Sequence, residues 1–231
     1  MIEVIYEDKD TVAVNKPPGL VVFHEVHLKE AFKKEETLSS LLIKQVPKIE
    51  NIGNERNGAV HRLDKDTSGI ILFAKNEKAL SFLQEQLLEK KAKKSYIALV
   101  FKSVKQDKGE INTFIERSPK DRRKQKAFKA ETGKRQAVTF FKTVEKFDEY
   151  SLLEVYPQTG RKHQIRCHLA HIGHPIAGDK LYKFKDQKNP VGLKRQFLHA
   201  KSIKIKLPNK EVKTFEAPLF EDLKEILKNL S

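Results

Sequence analysis

The sequence predicts an α+β fold, because short β-rich runs and segments of helical spacing alternate in one chain large enough to bury a core. Seven runs, of which Ile70 to Ala74 and Ser95 to Phe101 are the clearest, are bounded by turn residues. Four segments space their apolar residues for one helical face. Of 231 residues, 39% are apolar, which suffices for a sizeable core. The single cysteine, Cys167, rules out an internal disulfide and suits a reducing compartment.

Taken in order, residues 2–6 and 11–14 read as strands around an Asp-Lys-Asp turn, and Asn15-Lys16-Pro17-Pro18-Gly19 stops the second. His24 to Glu36 is polar and without period, so an exposed loop or lid is expected. Thr37 caps a helix with Leu38, Leu41 and Leu42 on one face, which Pro47 ends. Asn51 to Gly58 is a loop rich in Asn and Gly. His61 to Gly69 crowds Arg62, Asp64 and Asp66 into a turn that hands over to the apolar run at Ile70. Charge at the mouth of a buried strand is either ordinary turn chemistry or a site on a rigid support.

Asn76 caps the next helix, through about Lys91, with Ala79, Leu80, Leu83 and Leu87 as its stripe. Lys90, Lys91, Lys93 and Lys94 suit its C-terminal dipole. Ser95 to Phe101 is then a strand, with Tyr96 at its start. Val138 to Val144 and Leu152 to Tyr156 are two more strands. From Thr159, as cap, a helix carries Ile165, Leu169 and Ile172 on one face, and Gly173 and Pro175 terminate it. Arg166 is expected to share a polar face with Lys162 and His163, away from the core. A strand with alternating Ile203, Lys204, Ile205 and Lys206 and a helix from Phe220 to Leu230 close the chain. No repeat or domain boundary stands out, so a single domain over residues 1–231 is expected.

Charge narrows the partner. Lys and Arg number 46 against 31 Asp and Glu, a formal +15, which fits a polyanion. A lysine-rich proteome alone raises pI everywhere, but between Arg117 and Arg135 nine of nineteen residues are basic and only Asp121 and Glu131 are acidic. Such local enrichment reads as an arm or loop pair facing phosphates, with Arg122, Arg123, Lys124 and Lys126 at its centre. No run approaches the length of a membrane span, and the N-terminus lacks the pattern of a secretory leader, so a cytoplasmic protein is expected.

Metal chemistry is disfavoured: Cys167 and His171 are four apart, His24 and His27 lie far away in sequence, and no His-Glu-x-x-His occurs. Neither a Gly-x-Gly-x-x-Gly nor a P-loop is present, which argues against a nucleotide cofactor. Cys167 lies mid-helix and reads as a packed thiol. What remains is a carboxylate near basic groups, with a phenol and an arginine available. A carboxylate makes sense on a polyanionic substrate only if it attacks something uncharged, a base or a sugar, once the basic surface has captured the backbone.

His61-Arg62-Leu63-Asp64 with Thr67-Ser68-Gly69 does not stand alone. It is preceded by Asn15-Lys16-Pro17-Pro18-Gly19 and followed by Lys94-Ser95-Tyr96, Thr159-Gly160-Arg161, His163-Gln164-Ile165-Arg166, Gly173-His174-Pro175-Ile176, Gly178-Asp179 and Leu198-His199-Ala200. In this order the blocks resemble the RluA family of RNA pseudouridine synthases, from residue 2 to Pro218. The resemblance implies a pseudouridine synthase fold, a long, mixed and mostly antiparallel sheet flanked by helices with the catalytic cleft across it. It implies isomerisation of uridine to pseudouridine in RNA without metal or organic cofactor. It makes Asp64 the catalytic aspartate, Tyr96 the active-site tyrosine and Arg166 the arginine that pairs with that aspartate. Arg62 matches the residue that enters the space left by the flipped uridine, and Arg161 and Lys162 join the RNA-binding set. Many members carry an N-terminal S4 domain, whereas this sequence begins directly with the catalytic strands. Target choice is therefore expected to rest on the catalytic domain and its basic insertions.

The expected substrate is 23S ribosomal RNA or transfer RNA, and a monomer is assumed. Attack of Asp64 at C1′, attack at C6, and loss of the base with Tyr96 taking the C2′ proton all stay open. The competing reading is a non-catalytic basic RNA-binding or ribosome-assembly protein.

Overall fold

The computed structural model describes residues 1–24, 35–129 and 135–230. Most of the expected loop from His24 to Glu36, with His27, and part of the basic run, with Glu131, lie outside the described residues. Among the described residues there are ten strands and four α-helices, the α+β class expected, and none of the helices is long and apolar enough to cross a membrane. The chain divides into two compact units, Met1–Lys93 with Ala200–Pro218 and Lys94–His199 with Leu219–Ser231.

In the first unit, β1 (Glu3–Glu7), β2 (Thr11–Lys16) and β3 (Ser68–Ala74) lie side by side, followed by β9 (Leu198–Lys206) and β10 (Val212–Glu216). β1 with β2, β2 with β3, and β9 with β10 pair antiparallel. All seven residues of β3 are buried, as the unbroken apolar run requires of a strand covered on both faces. α1 (Leu38–Ile43) starts at Thr37 in a full capping box with Ser40, worth about 1 kcal/mol. Its Leu38 and Leu42 join Val12, Val14, Ile49, Ile71 and Phe73 in one core cluster. α2 (Glu77–Leu88) is capped by Asn76, as the sequence indicates. It stops earlier than expected, however: Lys90 turns left-handed (φ 59°), and Lys93 and Lys94 begin a strand. The lysine cluster therefore does not sit on the last turn of the helix.

Gly69, at φ +115°, explains itself by its neighbour. A Cβ there would lie 2.2 Å from the carbonyl oxygen of Ala200, so only glycine lets β9 run this close to β3.

In the second unit the strand order is β4 (Lys93–Phe101, from Lys94 on), β8 (Tyr150–Pro157), β7 (Arg135–Lys146), β5 (Lys108–Arg117) and β6 (Gln125–Phe128). Each of these neighbouring pairs is antiparallel. Of the basic run, residues 117–128 form the end of β5, the turn and β6, a hairpin with Arg117 opposite Gln125. β5, β6 and β10 are additional to the strands that the sequence predicts.

α3 (Gln164–His171) packs against β6, β7 and β8. It begins at Gln164, with left-handed His163 (φ 54°) before it. The expected cap, Thr159, is used elsewhere: its hydroxyl accepts the N–H of Val138 and donates to Gln164 Oε1. α4 (Glu221–Leu230) buries Leu223 and Ile226 and is tied down by Arg195 to Asp222 (2.7 Å).

Candidate active site

In the first unit, the residues from Asp64 to Thr67 form a tight turn at the mouth of β3, closed by the N–H of Thr67 donating to the Asp64 carbonyl (3.1 Å). Asp64 is half-buried, and Lys65 and Asp66 occupy the tip. The turn is fixed from below by Lys16. This lysine is fully buried, and its ammonium donates to the carbonyls of Pro17, Lys65 and Thr67, each at 2.9 Å. Gly19 adds a fourth link, its N–H donating to the same Lys65 carbonyl (2.9 Å). The Asn15-Lys16-Pro17-Pro18-Gly19 block is thus the seat of the turn that carries Asp64. Three charge-assisted bonds on a rigid strand hold a backbone far better than turn propensity alone.

Upstream, His61 Nε2 accepts the N–H of Leu72 (3.3 Å), which lays the segment along β3. Arg62 is exposed, with its guanidinium 5.7 Å from the centre of the Phe23 ring, and Arg56 lies 5.6 Å from the same ring. Contacts of this kind are worth about 0.5–1 kcal/mol at an exposed site.

In the second unit, Tyr96 is buried within β4, opposite Val155 of β8. Arg166 corrects the sequence reading: it is only 6% exposed and does not share a solvated face with Lys162, which is exposed and precedes the helix. Its Nε and Nη2 donate to Asp179 Oδ2 and Oδ1 at 2.6 and 2.9 Å. The oxygen that takes Nη2 is held further, since Asp179 Oδ1 also accepts the N–H groups of Leu181 (2.8 Å) and Tyr182 (3.1 Å). The Tyr182 ring covers the guanidinium, 5.2 Å from ring centre to Cζ. The Tyr182 hydroxyl accepts the N–H of Gln125 (2.7 Å) and lies 3.2 Å from His163 Nδ1. Burial raises the pKa of this phenol.

Asp179 and Tyr182 are the residues that sequence reasoning missed. Asp179 belongs to the Gly178-Asp179 block, and the aperiodic loop around it gives no sign of a partner 13 residues upstream.

Cys167 is buried, and burial pushes its thiol up to about 11, the behaviour of an inert packed cysteine. His168 is fully buried between two hydroxyls, Thr139 Oγ1 (2.9 Å) and Thr113 Oγ1 (3.0 Å). Desolvation lowers its pKa to about 4, so it is neutral at physiological pH. Among the described residues no group of three or more His, Cys, Asp or Glu could hold a metal ion.

The basic candidates differ in their surroundings. Arg122 and Lys126 are exposed and Lys124 is half-buried. Arg123 is matched to Asp121, its Nε and Nη2 donating at 3.0 and 2.9 Å. That hydrogen bonding pulls the Asp121 carboxyl down to about 2. Arg161 is exposed, and its Nε donates to the Gln136 carbonyl (3.1 Å). Lys94, near Gly160, has a desolvated ammonium that lowers its pKa, although part of its side chain reaches solvent.

A family model described as RNA pseudouridylate synthase matches residues 10–171, a span that includes Asp64, Tyr96 and Arg166. An RNA pseudouridine synthase of Synechocystis sp. is 38% identical over 228 residues, covering 98% of this chain and 68% of that protein. The ribosomal large subunit pseudouridine synthase D of Xylella fastidiosa is 37% identical over 237 residues, with the same coverage of 98% and 68%. Among solved structures, human RNA pseudouridylate synthase domain containing 4 superposes with a TM-score of 0.78 at 24% identity, over 99% of this chain and 92% of that one. The human domain containing 1 protein gives 0.74 at 22%, over 100% and 94%. These two likenesses establish the fold, and the sequence matches establish the family. With its motif blocks in order and the family match running through most of its length, the chain belongs to the RluA-type RNA pseudouridine synthases, isomerases that convert uridine to pseudouridine in RNA.

Proposed function

We propose that this protein isomerises specific uridines of 23S ribosomal RNA or of transfer RNA, with Asp64 as the catalytic carboxylate. The observation that carries this reading is the seat of Asp64. A half-buried carboxylate stands on a turn whose carbonyls are held by the buried Lys16 ammonium, at the mouth of a strand with no exposed residue. Rigid support of that kind is what a group needs if it must meet one atom of a flipped base. The name of the Xylella relative places that protein on the large ribosomal subunit, which favours ribosomal RNA for this chain as well.

The reaction breaks the C1′–N1 bond of uridine and forms C1′–C5, with the C5 proton lost and N1 protonated in the product. No electrons are exchanged, so no redox cofactor enters. Extruding the target base costs about a few kcal/mol, least in a loop or single strand. In this proposal Arg62 enters the space the base leaves. Tyr96 stacks on the base and handles protons, and Arg166 keeps the role the resemblance gives it, the arginine partner of the aspartate. Arg161, Lys162, Arg122, Arg123, Lys124 and Lys126 hold phosphates. The single catalytic domain over residues 1–231, the monomer and the cytoplasmic setting belong to the same proposal.

Asp64→Asn tests it. The variant should bind RNA within about twofold of wild type and make no pseudouridine, read by mapping modified positions in RNA from cells lacking the gene and complemented with each form. Appreciable product from Asp64→Asn removes the aspartate from the role. Loss of no pseudouridine on deletion, with none made by the purified protein, hands the chain to the non-catalytic RNA-binding reading.

A further inference from the structure

The loop between α3 and β9 carries a second concentration of charge, which the hairpin does not account for. Residues 180–194 hold five lysines, Lys180, Lys183, Lys185, Lys188 and Lys194, against one carboxylate, Asp186, and all six side chains are exposed. None of the ion pairs found among the described residues involves these lysines.

A solvated charge run is the ordinary reading of such a stretch, but a solvated run is loosely held and this one is pinned. At its start, Asp179 accepts the N–H groups of Leu181 and Tyr182. In the middle, the Phe184 N–H donates to Gln187 Oε1, and Gln187 Nε2 donates to the Ile176 carbonyl, both at 3.2 Å. Farther on, Asn189 Oδ1 accepts the Gly178 N–H (2.9 Å), and the Tyr150 hydroxyl donates to the Lys188 carbonyl (3.1 Å). Tyr182 is buried and Phe184 half-buried, while Lys183 and Lys185 alternate outward. A track fixed at these points presents its ammonium groups without ordering a loop at the moment of binding.

The track is also docked on the basic hairpin. The Tyr182 ring packs with Ile115, Ala127 and Cys167 beneath the hairpin, and its hydroxyl accepts the N–H of Gln125. Gln125 stands between Lys124 and Lys126 and two residues from Arg123. One side chain therefore joins two cationic segments of the same unit.

We infer that the loop from Lys180 to Lys194 is a second strip for the RNA backbone, continuous with the β5–β6 hairpin through Tyr182. The inference rests on the reading that this chain works on RNA. Lysine ammonium groups are compact point charges without the planar fork by which arginine grips a phosphate in one orientation. The strip accordingly contributes affinity that is indifferent to sequence, and site choice lies elsewhere.

The full-length protein with Lys183, Lys185 and Lys188 all changed to Gln tests this, beside a control with Lys9, Lys48 and Lys78 changed to Gln. The control removes the same charge from exposed positions of the first unit. RNA binding is titrated across salt, and pseudouridine formation is followed as KM and kcat, after thermal melts confirm that both variants fold. The loop variant should flatten the log affinity against log salt line by about two to three units and raise KM roughly tenfold, with the loss in KM rather than in kcat; the control should keep the wild-type slope. A loop variant with the wild-type slope and KM, or a control that flattens equally, overturns the strip. Absence of product from the wild-type protein would instead strike the proposed activity, and the slopes would still decide whether the loop meets RNA.

Discussion

Lys16 shows how one buried ammonium can serve geometry. Its three donors meet three carbonyls at 2.9 Å, which uses the whole donor capacity of a lysine. Lys16→Met would keep the volume and leave the Pro17 and Thr67 carbonyls without those bonds, at about 1–3 kcal/mol for each orphaned group, while the Lys65 carbonyl keeps the Gly19 N–H. Urea denaturation should therefore show a loss of at least about 2 kcal/mol, and turnover should fall much further than RNA affinity, because the turn bearing Asp64 relaxes. Lys16→Arg should rescue poorly, since a planar guanidinium cannot present three donors tetrahedrally. Stability and turnover at wild-type levels in Lys16→Met would refute this. The motif containing Lys16 was legible in the sequence, but its job was not. Beside two prolines and a glycine it reads as a charged strand end, and nothing local reveals that carbonyls some fifty residues on converge on it.

At the scale of elements, α3 combines a legible stripe with an illegible start. Ile165 and Leu169 are buried as their spacing demands, whereas the segment from Thr159 to His163 is drawn out of the helix. The Gln164 side chain accepts from both the Thr159 hydroxyl and the Arg161 N–H, a local competition that periodicity cannot show. Short edge strands escape for another reason. β10 buries only Phe215, and one inward residue makes no period.

The same helix sets a pH dependence through His168, whose pKa falls to about 4 in the fold against the ordinary 6.5. Above pH 6.5 both states hold it neutral and its contribution is complete. As pH falls from 6.5 towards 4 the unfolded chain takes the proton first, so stability declines, by about 3 kcal/mol at the low end. Melts from pH 7 to 4.5 should show that decline, and His168→Gln should flatten it. Parallel curves for the two proteins would mean that carboxylates alone drive the change.

For the molecule as a whole, the formal charge of +15 makes RNA affinity steeply salt-dependent, and the hairpin lets individual charges be weighed. Arg122 is exposed, while Arg123 already answers the ionised Asp121. Arg122→Gln should flatten the salt slope by about 0.7–0.9, and Arg123→Gln should flatten it less, because the pair with Asp121 already neutralises that arginine and leaves it little charge to offer a phosphate. Equal slopes for the two variants would show that the Asp121 pair opens when RNA binds.

The cation beneath the Asp64 turn then has a consequence of its own. Mobile ions screen charges in solvent within about 8–10 Å, so they compete directly for the outer lysines and arginines. Lys16 is walled off from them: its ammonium is buried among the carbonyls of Pro17, Lys65 and Thr67 and is covalently part of the chain, so no ion exchanges with it. Ionic strength can thus loosen the grip on RNA while the aim of the carboxylate stays set, so that a change in the cell's salt shifts how often substrate is held and leaves intact what happens once it is.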